Sequence, residues 1–433
     1  ISACLVGSEM CIRDSLWFVA DPEEQGELAH RYVEDGAIIV ADGRVRQAGE
    51  ASRLLSCVPP GTPIEDHRPH LLLPGFIDPH IHFPQTQVIA SYGAQLLEWL
   101  NKYTFVEEQK FADPGHCTAN ARFFLDELLR NGTTTAVAFC SVHPQSAEAL
   151  FAESERRGTL MIAGKVMMDR NAPAALCDTP QRGHDEAKAL IVRWHRRGRQ
   201  RYAIAPRFAI TSSPAQLEAA GALAAEHPDC HVETHLSESL AEITLVRELF
   251  ATARDYTHVY DRYGLLGERT LLGHCIHLSA RERAAIAERG SVAVFCPTSN
   301  LFIGSGLFDW RATRGARMRI ALATDVGGGT SYSMLRTAAE AYKVLQLQGQ
   351  SLPALTAFHA ITRGNAMALG LGEEIGSFEP GRACDAVVLD AGATPAMRHR
   401  LETMKTLEEE LFVLMTMGSD RNVAATYVMG ERA

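Results

Sequence analysis

The 433-residue chain lacks the features that mark membrane-spanning, nucleic-acid-binding or disulfide-rich proteins. No apolar run approaches the roughly 18–20 residues that span a bilayer. The net charge of −10 argues against binding to nucleic acid, which needs a basic face. The ten cysteines include no C-x-x-C pair, so neither a disulfide framework nor a thiolate zinc site is indicated. Reduced, cytoplasmic thiols are the simplest interpretation.

Phosphate-binding loops are also missing. No G-x-G-x-x-G and no P-loop opens a helix. The glycines of 327–329 directly follow Thr324-Asp325 and are not followed by G-K-[ST], so they predict a tight turn that a ligand can approach rather than a phosphate cradle.

The amino terminus has no signal-peptide pattern. Residues 1–15 carry neither a cationic stretch nor an apolar core, and they lack the alternation of a strand. We predict that they are a non-native or disordered tail that replaces a natural first strand.

The rest of the chain divides by its pattern into strand-rich ends and an alternating middle. Residues 16–70 and 373–433 predict the two parts of a small β domain, with a terminal helix in the second part. Residues 71–372 alternate strand-like runs with helical segments. The eight runs cover 71–82, 133–141, 160–168, 202–210, 230–236, 270–277, 291–297 and 319–325. Eight β-α units predict an α/β fold of the (β/α)8 type, and an open doubly wound sheet is the alternative.

The first of these runs ends in two histidines. His80 and His82 are two residues apart, so on a strand both side chains point to the same face. Two imidazoles at this spacing can chelate a metal such as zinc. Two unrelated core or surface histidines are the alternative.

Later strand ends supply the partners that such a site needs. His235 lies near the end of the fifth run and can be a third ligand, and Asp325 ends the eighth run, which lies beside the first when a barrel closes. Three imidazoles and a carboxylate leave one position for water, which zinc acidifies. Glu238 is placed to carry a proton to the substrate, and His274 to hold the attacking oxygen.

These motifs resemble the amidohydrolase superfamily. The pattern P-G-F-I-D-P-H-I-H, then T-H-L-S-E, G-H and T-D, covers nearly the whole chain. The resemblance implies a distorted TIM-like barrel and a β-sandwich built from both termini. Binuclear members carry a carboxylated lysine or a glutamate at the end of strand four. Here that strand reads A-I-A-P-R-F, which indicates the mononuclear subtype, with one Zn²⁺ per subunit or iron in its place.

Within that subtype the sequence is similar to the bacterial guanine deaminases. The similar stretches lie at 82–87, 91–105, 205–210, 296–306 and 324–334. The resemblance implies metal ligands at His80, His82, His235 and Asp325, a proton shuttle at Glu238 and a water-holding imidazole at His274. It also implies substrate contacts from Gln85, Arg207 and Phe208, hydrolysis of guanine to xanthine and ammonia in purine catabolism, and a homodimer. A guanidinium matches the O6 and N7 acceptors of guanine, and an aromatic ring can face the purine.

Several alternatives remain open at this point. A related ring, such as 8-oxoguanine, a pterin or a triazine, could replace guanine, and a metal-free binding or scaffold protein could retain the barrel.

The triplet His231-Val232-Glu233 imitates the H-x-E of another zinc deaminase class, but that class also needs P-C-x-x-C, which is absent. Glu233 could support the metal from below or pair in the core. His277 could replace His274 at the metal, and Trp99 is expected in a lid or core.

Overall fold

The computed structural model describes residues 8–93 and 95–433. The strands within these residues are β1 (Ser8–Phe18), β2 (His30–Ala41), β3 (Arg44–Glu50), β4 (Ile64–Pro74), β5 (Phe76–His82), β6 (Thr133–Phe139), β7 (Leu160–Gly164), β8 (Val166–Met167), β9 (Arg201–Pro206), β10 (His231–Leu236), β11 (Thr270–His274), β12 (Val292–Phe295), β13 (Arg319–Leu322), β14 (Ala386–Leu389), β15 (Val423–Val428) and β16 (Glu431–Arg432).

The α-helices of the same residues are α1 (Pro22–Gln25), α2 (Ala51–Leu55), α3 (Leu96–Trp99), α4 (Phe105–Glu108), α5 (Pro114–Arg130), α6 (Pro144–Arg157), α7 (Pro180–Trp194), α8 (Pro214–Glu226), α9 (Leu240–Leu249), α10 (Tyr256–Arg262), α11 (Ala280–Arg289), α12 (Pro297–Phe302), α13 (Trp310–Gly315), α14 (Met334–Leu347), α15 (Ala354–His359), α16 (Asn365–Ala368), α17 (Pro395–Leu401) and α18 (Leu407–Met417). Single π-helical turns at Leu100–Thr104 and Ala360–Gly364 join α3 to α4 and α15 to α16. Within the described ranges, none of these helices combines the length and the apolar character that a membrane span requires.

Eight parallel strands form a nearly closed barrel. Their order is β5-β6-β7-β9-β10-β11-β12-β13, and the short β8 adds to β9. The seam between β13 and β5 is bridged just beyond β13, where the Asp325 N–H donates to the His80 carbonyl (2.9 Å) and the His82 N–H to the Val326 carbonyl (2.6 Å). All eight predicted runs contain a barrel strand, so the (β/α)8 prediction is confirmed and the open sheet is excluded.

The predicted run 71–82 is two strands rather than one. Gly75 separates β4, which belongs to the small domain, from β5, which belongs to the barrel. Its N–H donates to the Asp385 carbonyl of the small domain (2.9 Å), and a Cβ on Gly75 would lie 2.3 Å from the Thr134 hydroxyl of the barrel. The predicted boundary at residue 71 therefore falls four residues early, because no polar residue interrupts the apolar sequence where the chain changes sheet.

The small domain is one seven-stranded sheet made from both ends of the chain, in the order β16-β15-β14-β4-β1-β2-β3. The sheet folds over so that its edge strand β3 reaches the segment before β14, since the Val45 N–H donates to the Arg382 carbonyl (2.9 Å) and the Cys384 N–H to the Gly43 carbonyl (2.8 Å). The enclosed core contains Trp17, Val40, Leu72, Phe378 and Val388.

Two predicted features of the ends differ from the structure. Ser8–Phe18 forms β1, which pairs with β2 on one side and β4 on the other, whereas residues up to 15 were predicted to be a tail. Main-chain hydrogen bonds to two neighbours hold this strand even without an alternating pattern. Residues 1–7 lie outside the described residues, and a non-native origin stays a prediction. The predicted terminal helix, α18, is followed by β15 and β16.

Candidate active site

The four predicted metal ligands meet at the carboxyl end of the barrel. The Nε2 atom of His82 lies 3.1 Å from Nε2 of His235 and 3.2 Å from Oδ1 of Asp325. The Nε2 atom of His80 lies 3.4 Å from the same carboxylate oxygen, and the rings of His80 and His235 are 4.8 Å apart. All four side chains are at least nine-tenths buried.

Unusual backbone conformations direct two side chains into this cluster. His274, at the end of β11, and Asp325, three residues after β13, have φ values of 70° and 51°. Left-handed conformations at residues other than glycine cost of the order of 1 kcal/mol or more and concentrate at functional sites. A Cβ on Gly273 would lie 2.6 Å from the His80 ring, so only glycine lets β11 approach this closely.

The imidazole rings are fixed by contacts behind them. Nδ1 of His235 donates to the Arg207 carbonyl (2.6 Å), which leaves Nε2 as the atom that can bind a cation. The Phe139 ring stacks on His82 and on His235, with both centroid distances at 4.8 Å. The predicted ligands His82 and His235 are therefore each held in one orientation.

The donor set fits a divalent metal. Both ring nitrogens of His80 and Nδ1 of His82 are buried without a hydrogen-bond partner among the described residues. Burial lowers the pKa of His82 to about 4 and that of His235 well below its usual value, so both imidazoles are neutral, as ligands must be. Two neutral Nε2 atoms that face each other at 3.1 Å are electrostatically satisfied when a cation lies between them.

The Asp325 carboxylate supplies the negative charge. Burial opposes its ionisation, but the close approach of the His80 and His82 imidazoles brings its pKa well below the usual value. Cys296 also approaches His80 and Asp325, yet burial raises the pKa of this thiol well above its usual value, which makes it a poor ligand.

A second group of potential ligands, His195, Asp229 and Cys230, lies outside the barrel mouth. Both nitrogens of His195 are already used, since Nδ1 accepts from the Tyr202 N–H (3.0 Å) and Nε2 donates to Asp229 (3.1 Å). This group is therefore not equipped for a metal.

The predicted proton-transfer group, Glu238, stands beside the cluster. Its Oε2 lies 3.4 Å from Nε2 of His274, and its Oε1 accepts from the Ser305 hydroxyl (2.8 Å). Burial raises the pKa of Glu238, which favours a carboxyl that can hold a proton. Nδ1 of His274 in turn donates to the side-chain oxygen of Asn300 (2.9 Å). The roles of Ser305 and Asn300 were not predicted, although both lie in the quoted stretch 296–306.

A cavity adjoins the cluster. The predicted substrate residues Gln85, Arg207 and Phe208 all line it, together with the predicted chemical groups His82, His235, Glu238, His274 and Asp325, and with Leu96, Trp99, Leu100, Ser299, Ile303 and Gly328. His80 completes the cluster from behind. The predicted turn of 327–329 is tight, since the Gly329 N–H bonds to the Asp325 carbonyl (2.5 Å).

One residue in contact with the predicted substrate residues was missed. The Glu108 carboxylate accepts from Nη1 of Arg207 at 2.8 and 2.7 Å and from Nε2 of Gln85 at 2.9 Å. Glu108 lies at the end of α4, three residues beyond the quoted stretch 91–105. Its distance in sequence from Arg207 left no local signal for the contact.

Four residues that the sequence left with two possible roles have defined positions in the structure. His277 donates to the Ser305 carbonyl (2.8 Å) and does not line the cavity, so the structure favours His274. Trp99 lines the cavity wall and donates to the Ser91 carbonyl (3.1 Å). The Nε2–H of His231 donates to the Leu369 carbonyl (2.9 Å), so this nitrogen is not a metal ligand. Glu233 lies on the His235 face of β10, and neither of its oxygens has a hydrogen-bond partner among the described residues.

Comparisons with known proteins agree with this geometry. Residues 71–433 match the model of the amidohydrolase family. The chain is 46% identical to the guanine deaminase of Escherichia coli K12 over 413 residues, which cover 95% of this chain and 94% of the relative. The solved structure of an E. coli guanine deaminase superposes with a TM-score of 0.96 at 42% identity, covering 99% of both chains. A guanine deaminase from C. acetobutylicum, solved with guanine bound in its active site, gives 0.89 at 28% identity, covering 98% of this chain and 100% of that one.

A (β/α)8 barrel that gathers histidines and a carboxylate at the carboxyl ends of its strands is typical of metal-dependent barrel enzymes. More narrowly, the chain belongs to the amidohydrolase family.

Proposed function

We propose that the chain catalyses the hydrolytic deamination of guanine to xanthine and ammonia, with one zinc ion held by His80, His82, His235 and Asp325. One observation carries the proposal: Arg207, Phe208 and Gln85 line the same cavity as Glu238 and the ligand cluster. A purine held by the first three residues has its reacting carbon next to the groups that activate water and move protons. The relatives named guanine deaminase, at up to 46% identity, support the same substrate.

The metal contributes one part of the chemistry. When bound, the ion acidifies a water so that hydroxide forms near neutral pH. Zinc fits three nitrogen ligands and one carboxylate, and iron is the alternative for this donor set.

The substrate is oriented by side chains on one wall of the cavity. The Arg207 guanidinium donates to the O6 and N7 acceptors of guanine. Phe208 is 4% exposed at the cavity wall and presents its ring to the purine. Gln85 contacts the pyrimidine edge. Together these contacts bring C2, which carries the amino group, to the attacking oxygen.

Protons are moved by the carboxyl groups. The Asp325 carboxylate accepts a proton from the attacking water, and Glu238 delivers one to the ring nitrogen beside C2. His274, 3.4 Å from Glu238 and 3.8 Å from Asp325, hydrogen-bonds the attacking oxygen. Asp325 then passes its proton to the amino group, which leaves as ammonia, while the hydroxyl proton at C2 returns to Glu238 and xanthine remains.

Turnover of a panel of bases by zinc-loaded protein tests this function. Guanine is expected to give the ultraviolet change of xanthine formation and one ammonia per base. Arg207→Ala is expected to raise KM for guanine at least about tenfold, because a hydrogen bond from a charged group is lost. Preferential turnover of 8-oxoguanine, a pterin or a triazine would replace guanine as the substrate. Absence of both bound metal and turnover would indicate a binding protein.

We further propose a cytoplasmic homodimer that acts in purine catabolism. Eight cysteines, Cys57, Cys117, Cys140, Cys177, Cys230, Cys275, Cys296 and Cys384, are free thiols, which suits a reducing compartment. The dimer rests on the resemblance to guanine deaminases, and sedimentation of the zinc-loaded protein tests it.

A further inference from the structure

Glu108 is a buried carboxylate that joins the two predicted substrate-reading side chains. It is 1% exposed. One guanidinium nitrogen of Arg207, Nη1, lies within 2.8 Å of both of its oxygens, and the amide nitrogen of Gln85 lies 2.9 Å from Oε1. A buried carboxylate with such partners is stable only while they remain in place.

This contact determines which way the Gln85 amide faces. An ionised carboxylate accepts hydrogen bonds and cannot donate one, so the amide must turn its nitrogen toward Glu108. Its oxygen then occupies the other side of the amide group. Gln85 is 1% exposed and lines the cavity, so a ligand there meets an amide held in one orientation. The opposite orientation would place two acceptors against each other.

The same contact determines how Arg207 is used. The pair with Glu108 neutralises the guanidinium charge inside the barrel mouth and occupies Nη1. The guanidinium also lies over the Phe105 ring, 5.4 Å from its centroid, which restricts its plane. The nitrogens that do not face Glu108 remain the donors that can reach a ligand.

We infer that Glu108 is a positioning residue that makes Arg207 the hydrogen-bond donor and Gln85 the hydrogen-bond acceptor toward a ligand in the cavity. By this arrangement it selects 6-oxopurines over 6-aminopurines. A 6-oxopurine offers the acceptors O6 and N7 to Arg207 and ring N–H groups to Gln85. A 6-aminopurine presents an amino donor at C6 and an unprotonated N1, so it opposes both groups. The inference rests on the proposed function, because it assumes that a purine occupies this cavity.

The variant Glu108→Gln tests this assignment of donor and acceptor. An amide at residue 108 can donate as well as accept, so Gln85 is free to turn over and Arg207 loses its countercharge. KM and kcat for guanine are measured on zinc-loaded enzyme, with inhibition constants for hypoxanthine and adenine. We expect KM to rise at least about tenfold, more than kcat falls, and the preference for hypoxanthine over adenine to shrink at least about tenfold. An unchanged preference in the folded variant overturns the inference.

Glu107→Gln is the matched control. Glu107 is the adjacent residue of α4, and its carboxylate accepts from Lys110 (2.6 Å) instead of from the cavity residues. The same chemical change there is expected to leave KM and the hypoxanthine preference within about twofold of wild type. If KM and the hypoxanthine preference change equally in both variants, any loss of charge in α4 disturbs the site. That result would overturn the specific role of Glu108.

Two further variants keep the inference testable if Glu108→Gln does not fold. Glu108→Asp retains the charge but is one methylene shorter, so it cannot reach Arg207 and Gln85 together. We expect a partial loss of preference, of about threefold or more, and no change in a folded Glu108→Asp protein decides against the inference. In a Gln85→Leu background the effect of residue 108 on preference should shrink to the part that acts through Arg207, whereas a general structural effect would persist in full.

The wild-type measurements separate the two proposals. Wild-type enzyme that does not turn over guanine contradicts the proposed function. Wild-type enzyme that turns over guanine, with variants that keep the hypoxanthine preference, contradicts only the role of Glu108.

Discussion

The main-chain N–H of Asp325 donates a 2.9 Å hydrogen bond to the carbonyl oxygen of His80. This bond joins the first and last strands of the barrel at the level of the predicted metal site, so the contact that closes the fold also brings two predicted ligands together. Asn365 bridges the same seam below it, since its Nδ2 donates to the carbonyls of Ile77 and Leu322, both at 2.8 Å, and its Oδ1 accepts from the Leu322 N–H (3.0 Å).

Asn365→Ala is therefore expected to weaken the barrel and the site together. It removes three buried hydrogen bonds and leaves main-chain groups unpaired, which should lower the free energy of unfolding by roughly 3 kcal/mol. Denaturant unfolding and metal content of the purified variant measure the two effects. Asn101→Ala removes a solvent-exposed bond to the Leu97 carbonyl and serves as the control. Equal stability of the two variants would contradict a role for Asn365 in closing the seam.

Metal removal should destabilise the folded chain. Without a cation, Nε2 of His80 stays buried without a hydrogen-bond partner and the Nε2 atoms of His82 and His235 face each other, so chelation is expected to lower Tm and added zinc to restore it. At a free metal concentration about a thousand times the dissociation constant, binding stabilises the folded state by about 4 kcal/mol. Melting curves against zinc and iron concentrations measure the effect and rank the two metals.

Ligand variants locate the metal. His235→Ala is expected to lose the bound ion, as measured by elemental analysis. Asp229→Ala, in the group outside the barrel whose histidine nitrogens are already used, is expected to keep it. Retention of metal in His235→Ala together with loss in Asp229→Ala would place the ion elsewhere.

Glu238→Gln should separate proton transfer from metal binding. The amide keeps the size of the side chain but cannot donate an acidic proton, so kcat is expected to fall at least about 10²-fold with metal content unchanged. Ser305→Ala removes only the 2.8 Å hydrogen bond to the Glu238 carboxyl and is expected to cost about tenfold. Near-native turnover by metal-replete Glu238→Gln would contradict the assigned proton transfer.

The sequence was most informative where chemistry and local pattern coincide. His80 and His82 could be paired because a strand repeats every two residues, and Asp325 could be placed beside them because a barrel closes. Gly75 was missed as a boundary, since the apolar run continues on both sides of it and only the pairing partners change. The left-handed backbone of His274 was also invisible, because residues other than glycine give no sequence signal for it.

Long-range polar contacts account for the remaining differences. Glu108 lies on a short helix whose local sequence indicates an ordinary charged surface, and only the folded chain brings its carboxylate to Arg207. β1 shows the same limit for main-chain bonds, because its partners β2 and β4 hold it in the sheet although its own sequence does not alternate.

The buried imidazole of His231 should make the free energy of unfolding depend on pH. Burial lowers its pKa to about 4, so between pH 6.5 and about 4 the unfolded chain binds a proton that the folded chain does not. The stabilisation from neutral His231 is complete above pH 6.5 and falls by about 1.4 kcal/mol per pH unit as the pH decreases toward 4.

The variant His231→Gln removes this proton uptake. The difference in free energy of unfolding between wild type and His231→Gln is therefore expected to move by about 2 kcal/mol against wild type from pH 7 to pH 5, as measured by denaturant unfolding. Any constant cost of losing the hydrogen bond to the Leu369 carbonyl cancels in this comparison. His399→Gln, at a side chain that is 86% exposed, is the control and should follow the wild-type profile. Parallel profiles for wild type and His231→Gln would mean that His231 takes up its proton as readily in the folded barrel as in the unfolded chain, which the burial of this imidazole opposes.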